Sequence, residues 1–250
     1  MEVRLSAPDW CFFRPGMEPD HYYQTLRTHG YAAVEMVAAE RFQAARSAGL
    51  EILDLAAPGM MKGLNRREHH AKLLPQIVET LQLASEHAIP AVIVFSGNRD
   101  GQEDSTGLSN VCDALAKLLP EAEKLGVEMW FEMLCQQDHE DYQADHASYG
   151  FELCQRLASD WLKVLYDVYH MSQMGEDVAT DITDRLSDVA HIHLADLPRR
   201  RCPRSDERVA FHAIRDRVMQ AGYDGLWGME FLPGAAPLED ARDAADYFRS

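Results

Sequence analysis

The sequence is short of cysteine and of positive charge, and it has no long apolar run. Its five cysteines, Cys11, Cys112, Cys135, Cys154 and Cys202, are odd in number, scattered and without a Cys-x-x-Cys spacing. Neither a disulfide framework nor a cysteine-ligated zinc site is therefore expected, and they read as reduced thiols. Lys and Arg number 24 against 41 Asp and Glu, a formal charge of −17 that would repel a phosphate backbone. Only Arg199 to Arg201 form a basic run, so nucleic acid is not an expected partner. The acidic excess reads as solvated helical surface. No apolar stretch approaches the ~18 residues a membrane span needs, so no membrane partner is expected. The start, Met1-Glu-Val-Arg-Leu5, lacks the basic-then-apolar pattern of a secretory signal, which points to the cytoplasm. The glycine-rich phosphate patterns GxGxxG and GxxxxGK are missing too, which argues against an open doubly wound nucleotide fold.

What is present is alternation. Strand-like runs fall at 3–7, 31–37, 50–56, 91–95, 126–134, 162–169, 189–196 and 225–232. Amphipathic helical stretches fall between them, at 20–28, 41–48, 68–87, 110–125, 149–157, 181–186, 210–221 and, after the last strand, 238–248. Gly30, Gly49 and Gly222 stop helices, Leu73, Ile77 and Leu81 line one side of the 68–87 helix, and Pro120 is a candidate break in the 110–125 helix. Eight β/α pairs in 250 residues predict one domain over 1–250, a (β/α)8 TIM barrel in the α/β class. The longest connections, 57–67, 96–109 and 135–148, would shape its pocket.

The barrel gives the strand ends a meaning. Glu132, Asp167, His193 and Glu230 each close one of four successive strands, one per unit of roughly 30 residues. Parity places Lys163, Leu165 and Asp167 on one face, likewise His191 and His193, and Leu226, Gly228 and Glu230. If those faces point inward, the four converge where such barrels keep their chemistry. One acidic strand end alone is more often a helix cap or a loop charge, but four on inward faces are costly unless paired or metal-bound. Three carboxylates and one imidazole suit a single divalent ion, Mn²⁺, Mg²⁺ or Co²⁺, and could accept Zn²⁺.

Met129-Trp-Phe-Glu132, Leu165-Tyr-Asp-Val-Tyr-His170, His191-Ile-His193 followed by Arg199 and Arg200, and Gly222-Tyr-Asp-Gly-Leu-Trp-Gly-Met-Glu230 resemble the xylose-isomerase-like sugar isomerase and epimerase superfamily over nearly the whole chain. Ala195-Asp-Leu-Pro-Arg-Arg-Arg-Cys-Pro203, Gly222-Tyr-Asp-Gly225, Ala57-Pro-Gly59 and Arg67-Glu-His69 look most like its hydroxypyruvate isomerases. The resemblance implies that Glu132, Asp167, His193 and Glu230 bind one ion, that Glu132 and Glu230 also exchange protons with substrate, and that His170 and Arg199 or Arg200 contact its oxygens. The sequence departs from that branch in two places. Hydroxypyruvate isomerases commonly carry Gln where His193 stands, and His there is closer to ketose 3-epimerases; their Arg-His-Glu-Pro is Arg200-Arg-Cys-Pro203.

The chemistry asks for these groups on its own account. Moving a proton between carbons beside a carbonyl needs a base, an acid or relay, and a cation to stabilise enediolate oxygens. The expected activity is a metal-dependent isomerase or epimerase of a small keto sugar or sugar acid. The alternative is a metal-dependent dehydratase, a lyase acting on a keto-inositol or shikimate-type substrate. DNA-repair endonucleases of the superfamily would require more histidines and a basic face. A barrel that binds sugar without turnover would not require both proton-transfer carboxylates. Association with further copies of the chain is left open.

Other residues carry two readings each. His170 is either a donor to a substrate oxygen or a cap on the next helix; His191 is a buried partner rather than a ligand. Arg199 to Arg201 could hold a carboxylate through a guanidinium fork or be solvated. Glu35 could orient the site, Trp10, Phe12 and Phe13 could wall a pocket or fill the core, and His69 and His70 are expected at the surface.

Overall fold

The computed structural model describes residues 2–204 and 206–250. The chain runs β1 (Arg4–Pro8), α1 (Asp9–Phe12), α2 (Pro19–Thr28), β2 (Ala33–Glu35), α3 (Phe42–Ser47), β3 (Glu51–Ile52), β4 (Asp54–Ala56), α4 (Arg67–Glu86) and β5 (Ala91–Phe95). It continues through α5 (Asp104–Leu125), β6 (Glu128–Glu132), α6 (Ala147–Leu157), β7 (Leu162–Asp167), α7 (Val168–Gln173), α8 (Val178–Asp184), β8 (Val189–His193), α9 (Phe211–Gln220), β9 (Leu226–Gly228) and α10 (Pro237–Arg249). Because β3 and β4 are two pieces of the single strand expected at 50–56, the architecture is a (β/α)8 TIM barrel. Among the described residues no helix is long and apolar enough to cross a membrane.

Two compact units make up the chain: Met1–Asp54 with His191–Ser250, and Leu55–Ala190. In the first, β1 pairs in parallel with β2 and with β9, β2 with β3, and β8 with β9. In the second, β6 lies parallel between β5 and β7, with Val94 opposite Phe131 and Phe131 opposite Val164. Every residue of β5 (Ala-Val-Ile-Val-Phe) is buried, which is why this strand reads as an unbroken apolar run: in an α/β fold a parallel strand is covered on both faces. Burying one such Val or Ile contributes about 1.5–3 kcal/mol. The covering helices follow the same logic, α4 burying Leu73, Ile77, Leu81 and Ala84 and, in the first unit, α10 burying Ala241, Ala244, Ala245 and Phe248.

Several expectations need correction. Helix α5 begins at Asp104, ahead of the expected 110, and Pro120 does not break it. Pro120 is exposed, while buried Leu118 and Ala122 on either side keep the helix seated. The run expected as a strand to 169 ends at Asp167, because that side chain accepts hydrogen bonds from Tyr169 N and His170 N and so starts α7. Helix α1, directly after β1, was not expected at all. Strand β2 stops at Glu35 because Met36 takes a left-handed φ of 50°. His70 is buried rather than at the surface, its Nε2 2.7 Å from the Leu64 carbonyl.

Candidate active-site residues

In the first unit, three elements bring a set of buried polar side chains together. Glu35 is the last residue of β2 and His193 the last of β8, and Glu230 lies two residues past β9. His193 Nε2 is 2.6 Å from Glu35 Oε2, and its Nδ1 is 3.1 Å from Glu230 Oε2. His191 Nε2 lies 3.2 Å from the same oxygen of Glu35. The two imidazoles meet edge to face at 4.9 Å. Glu230 is held at both oxygens: Trp10 Nε1 donates to Oε1 at 3.0 Å, and Arg200 Nη2 donates to Oε2. The Arg200 guanidinium also sits 5.5 Å from the centre of the Trp10 ring.

Backbone geometry makes room for this. A Cβ on Gly228 would lie 2.5 Å from His193 Cδ2, 2.7 Å from Glu35 Oε1 and 2.9 Å from His191 Nε2, so only glycine fits beneath the three side chains. Arg199 and Arg200 have left-handed φ values of 68° and 51°. Two such residues in succession are strained, and they are held by the hydrogen bond from Leu232 N to the Arg200 carbonyl at 2.7 Å as well as by the Arg200–Glu230 pair.

Burial raises the cost of charge on Glu35, but His191 and His193 outweigh it and hold Glu35 below the usual carboxylate range. The same balance applies to Glu230, where burial is opposed by His193 and Arg200, again leaving the carboxylate ionised. Asp54 moves the other way, raised by its full burial and then by the charge on Glu35. Full burial and the charge on Glu35 thus both push Asp54 toward its neutral form, as expected where two carboxylates lie close together out of water. Burial lowers His191, which favours its neutral form.

The donor chemistry fits a divalent ion. Neighbouring ligand atoms at right angles around an ion with bonds of 2.1–2.3 Å stand roughly 3.0–3.2 Å apart, and His193 Nδ1 and Glu230 Oε2 are separated by 3.1 Å. A carboxylate on the far nitrogen of the imidazole completes the usual support for a metal-binding histidine.

In the second unit, Glu132 ends β6 and Asp167 ends β7, both buried. Leu165 lies opposite Glu132 in the register, so Asp167 projects from the same strand face as Leu165. Tyr142 Oη donates to the Glu132 carbonyl at 3.2 Å and accepts from Ser96 N at 2.9 Å. Asp167 spends Oδ1 on the α7 cap, with 2.7 Å to Tyr169 N and 3.2 Å to His170 N, and its Oδ2 is 3.6 Å from His170 Nε2. The acidic-cap reading and the ligand reading of Asp167 are therefore compatible, one per oxygen. His170 is fully buried inside α7. Cys135 N donates to its Nδ1 at 3.2 Å, which leaves the ring proton on Nε2.

The remaining predicted residues lie elsewhere. Arg199 is exposed and lines a separate pocket of about 540 Å³ with Arg201, Cys202, Arg204 and Asp240. Arg201 pairs with Asp196 and, at 3.5 Å, with Asp206. Phe12 is core and stacks edge-on with Phe231, while Phe13 lies 4.4 Å from the Arg41 guanidinium. Sequence reasoning missed the Trp10–Glu230 hydrogen bond and the role of Cys135. Cys135 follows Glu132 by three positions, but no pattern marks it.

The alternation, the site-bearing strand ends and the cradle at Gly228 define an α/β barrel architecture. The family model described as "Xylose isomerase-like TIM barrel" matches residues 17–250, and the chain belongs to that family. A 75-residue stretch is 37% identical to a putative hydroxypyruvate isomerase of Streptomyces coelicolor, covering 30% of this chain and 26% of the relative. Another, of 110 residues, is 28% identical to a 2-oxo-tetronate isomerase of Cupriavidus necator, covering 44% of this chain and 42% of the relative. These matches thus span from about a quarter to about two fifths of the relatives' length. Among solved structures, a 3-keto-D-glucoside 4-epimerase from E. coli superposes with a TM-score of 0.83 at 18% identity, over 99% of both chains; this likeness establishes the fold.

Proposed function

We propose that the chain, as one barrel domain, is a divalent-metal-dependent isomerase or epimerase of a small keto sugar or sugar acid. The observation that carries this reading is the pairing of His193 Nδ1 with Glu230 Oε2 at ligand-to-ligand spacing, backed by Glu35. In this reading Glu132, Asp167, His193 and Glu230, each buried and each offering one ligand atom, hold Mn²⁺, Mg²⁺ or Co²⁺, with Zn²⁺ acceptable to the same donors. The relatives named as hydroxypyruvate and 2-oxo-tetronate isomerases support a keto-acid substrate class.

The ion, when bound, would stabilise negative charge developing on two adjacent substrate oxygens. The protein's own groups do the rest. Glu230, kept ionised by Arg200, accepts a proton from the carbon beside the carbonyl, and Glu132 serves the proton's return. His170, with its proton on Nε2, donates to a substrate oxygen. Of the two arginines that the resemblance offers, Arg200, which reaches Glu230, orients the substrate's acidic or carbonyl end, while Arg199 lines a different pocket.

The test is a conversion screen with hydroxypyruvate, tartronate semialdehyde and C4 to C6 ketoses. Protein stripped by chelation is compared with protein reloaded with each ion. Mass-neutral conversion that requires the ion is the expected result. A product lighter by one water identifies the dehydratase instead, and full turnover in verified metal-free protein rejects the mechanism.

A further inference from the structure

We infer that Glu35 is a positioning residue for His193. By accepting the Nε2 proton it fixes the imidazole in the tautomer whose Nδ1 lone pair faces Glu230 and the ion. This rests on the reading of His193 as a ligand.

The contact joins residues 158 positions apart at 2.6 Å, and both side chains are fully buried. A carboxylate can only accept, so the proton shared with Glu35 is the imidazole's, on Nε2. A neutral imidazole carries one N–H; with that proton on Nε2, the ring offers its lone pair at Nδ1. The Nδ1 atom is the one 3.1 Å from Glu230 Oε2. The ring cannot easily turn over to exchange the two nitrogens. The His191 ring stands across it at 87°, and the Gly228 backbone lies beneath it, where even a Cβ would collide.

Glu35 is itself pinned. His191 Nε2 approaches the same Oε2 at 3.2 Å, and the left-handed Met36 directly after it ends β2, so the carboxylate does not follow the strand outward. His191 thus acts on the site through Glu35 rather than as a ligand, matching its expected part as a buried partner. Losing such a carboxylate partner lowers metal affinity by about 10- to 100-fold.

The test uses the full chain with Glu35→Gln, which keeps volume and one acceptor oxygen but removes the charge and turns the other corner into a donor. Mn²⁺ and Zn²⁺ affinities are measured by calorimetry, with a thermal melt to confirm folding. Glu35→Gln should bind about 10-fold or more weakly. An affinity for Glu35→Gln within threefold of wild type overturns the proposal. Should Glu35→Gln fail to fold, nitrogen-15 NMR of the wild type decides, with His193 assigned by comparison with His193→Gln. In the Zn²⁺-loaded protein the ligated nitrogen should be Nδ1 with a proton on Nε2, and ligation through Nε2 overturns the proposal. If wild type binds no ion, the metal reading falls by itself. The ion-free spectrum at pH 8 then tests Glu35 separately: an Nε2–H tautomer upholds its hold on His193, and an Nδ1–H tautomer refutes it.

Discussion

The indole N–H of Trp10 donates to Glu230 Oε1 at 3.0 Å, linking residues 220 positions apart. Trp10 is 44% exposed and Glu230 only 4%, so the indole is the solvent-side end of the contact. Its short helix is tied down by Asp9, which accepts from Tyr23 Oη at 2.6 Å and from Arg41 Nε and Nη2 at 3.1 Å each. Trp10→Phe keeps a ring under Arg200 and removes the donor. It should cost about 1.5–3 kcal/mol, the worth of a hydrogen bond to a charged group, and slow turnover about tenfold. Thermal melts and steady-state rates check this, and an unchanged rate would show that Oε1 needs no anchor.

Glu230→Gln retains an oxygen donor and loses the proton acceptor. Ion affinity should fall less than turnover does, and incorporation of solvent deuterium at the carbon beside the carbonyl should slow by a factor on the order of 100. Wash-in at the wild-type rate, with the ion confirmed in place, would reduce Glu230 to a ligand only. Conversion without wash-in even in wild type would point to a hydride shift between the two carbons.

Gly228→Ala places a methyl group within 2.9 Å of His193, Glu35 and His191. Overpacking of this kind costs about 1–3 kcal/mol, and here the displaced groups are the site itself. Loss of ion binding should therefore accompany the loss of stability. A variant as stable as wild type with unaltered ion affinity would mean the cradle can relax.

Pro120 lies inside α5 and is exposed. Pro120→Ala restores an N–H to the helix without disturbing buried contacts, so urea unfolding should show a gain of about 1–3 kcal/mol. A neutral or destabilising result would mean that the helix is already distorted around Ala116 in a way the alanine cannot repair.

Burial, reinforced by the charge of Asp188, pushes the Cys154 thiol from the usual 9.0 up to about 12. Because the folded value is the higher one, the protonated thiol's contribution to stability is present below pH 9 and is lost as pH rises toward 12. At pH 8 Cys154 is therefore almost entirely the thiol. Iodoacetamide should leave it unmodified in the folded protein at that pH, and the rate should rise about tenfold per pH unit up to pH 10. Site-resolved mass spectrometry that finds rapid labelling at pH 7 would contradict this.

How far the sequence could be read depended on the range over which each signal acts. Strand β5 was legible because Ala91 to Phe95 is uniformly apolar and Pro90 bounds it. The strand-end residues Glu132, Asp167 and His193 were legible because a barrel repeats its unit. The start of α5 was not: Asp104-Ser-Thr-Gly-Leu-Ser109 has weak helix propensity, and it becomes helical where Gly107 packs so close to Gln143 that a Cβ would lie 2.0 Å from Oε1. Helix α7 was hidden by Val168 and Tyr169, good strand formers that a single capping carboxylate overrides. Contacts such as Glu35–His193 and Trp10–Glu230 leave no trace in spacing, since folding alone brings them together.

Asp167 narrows what can stand at its position more than chemistry alone would. Glutamate would carry its carboxylate one methylene too far to cap α7. Asparagine would cap but bring an amide where a cation is proposed, and serine would cap with no second oxygen. Aspartate is the one residue that meets both demands. Removing it should also release the first turn of α7, and with it His170, so damage at 167 and at 170 should overlap rather than add. Asp167→Asn is then the only informative single change there, since it alone separates the helix start from the negative charge.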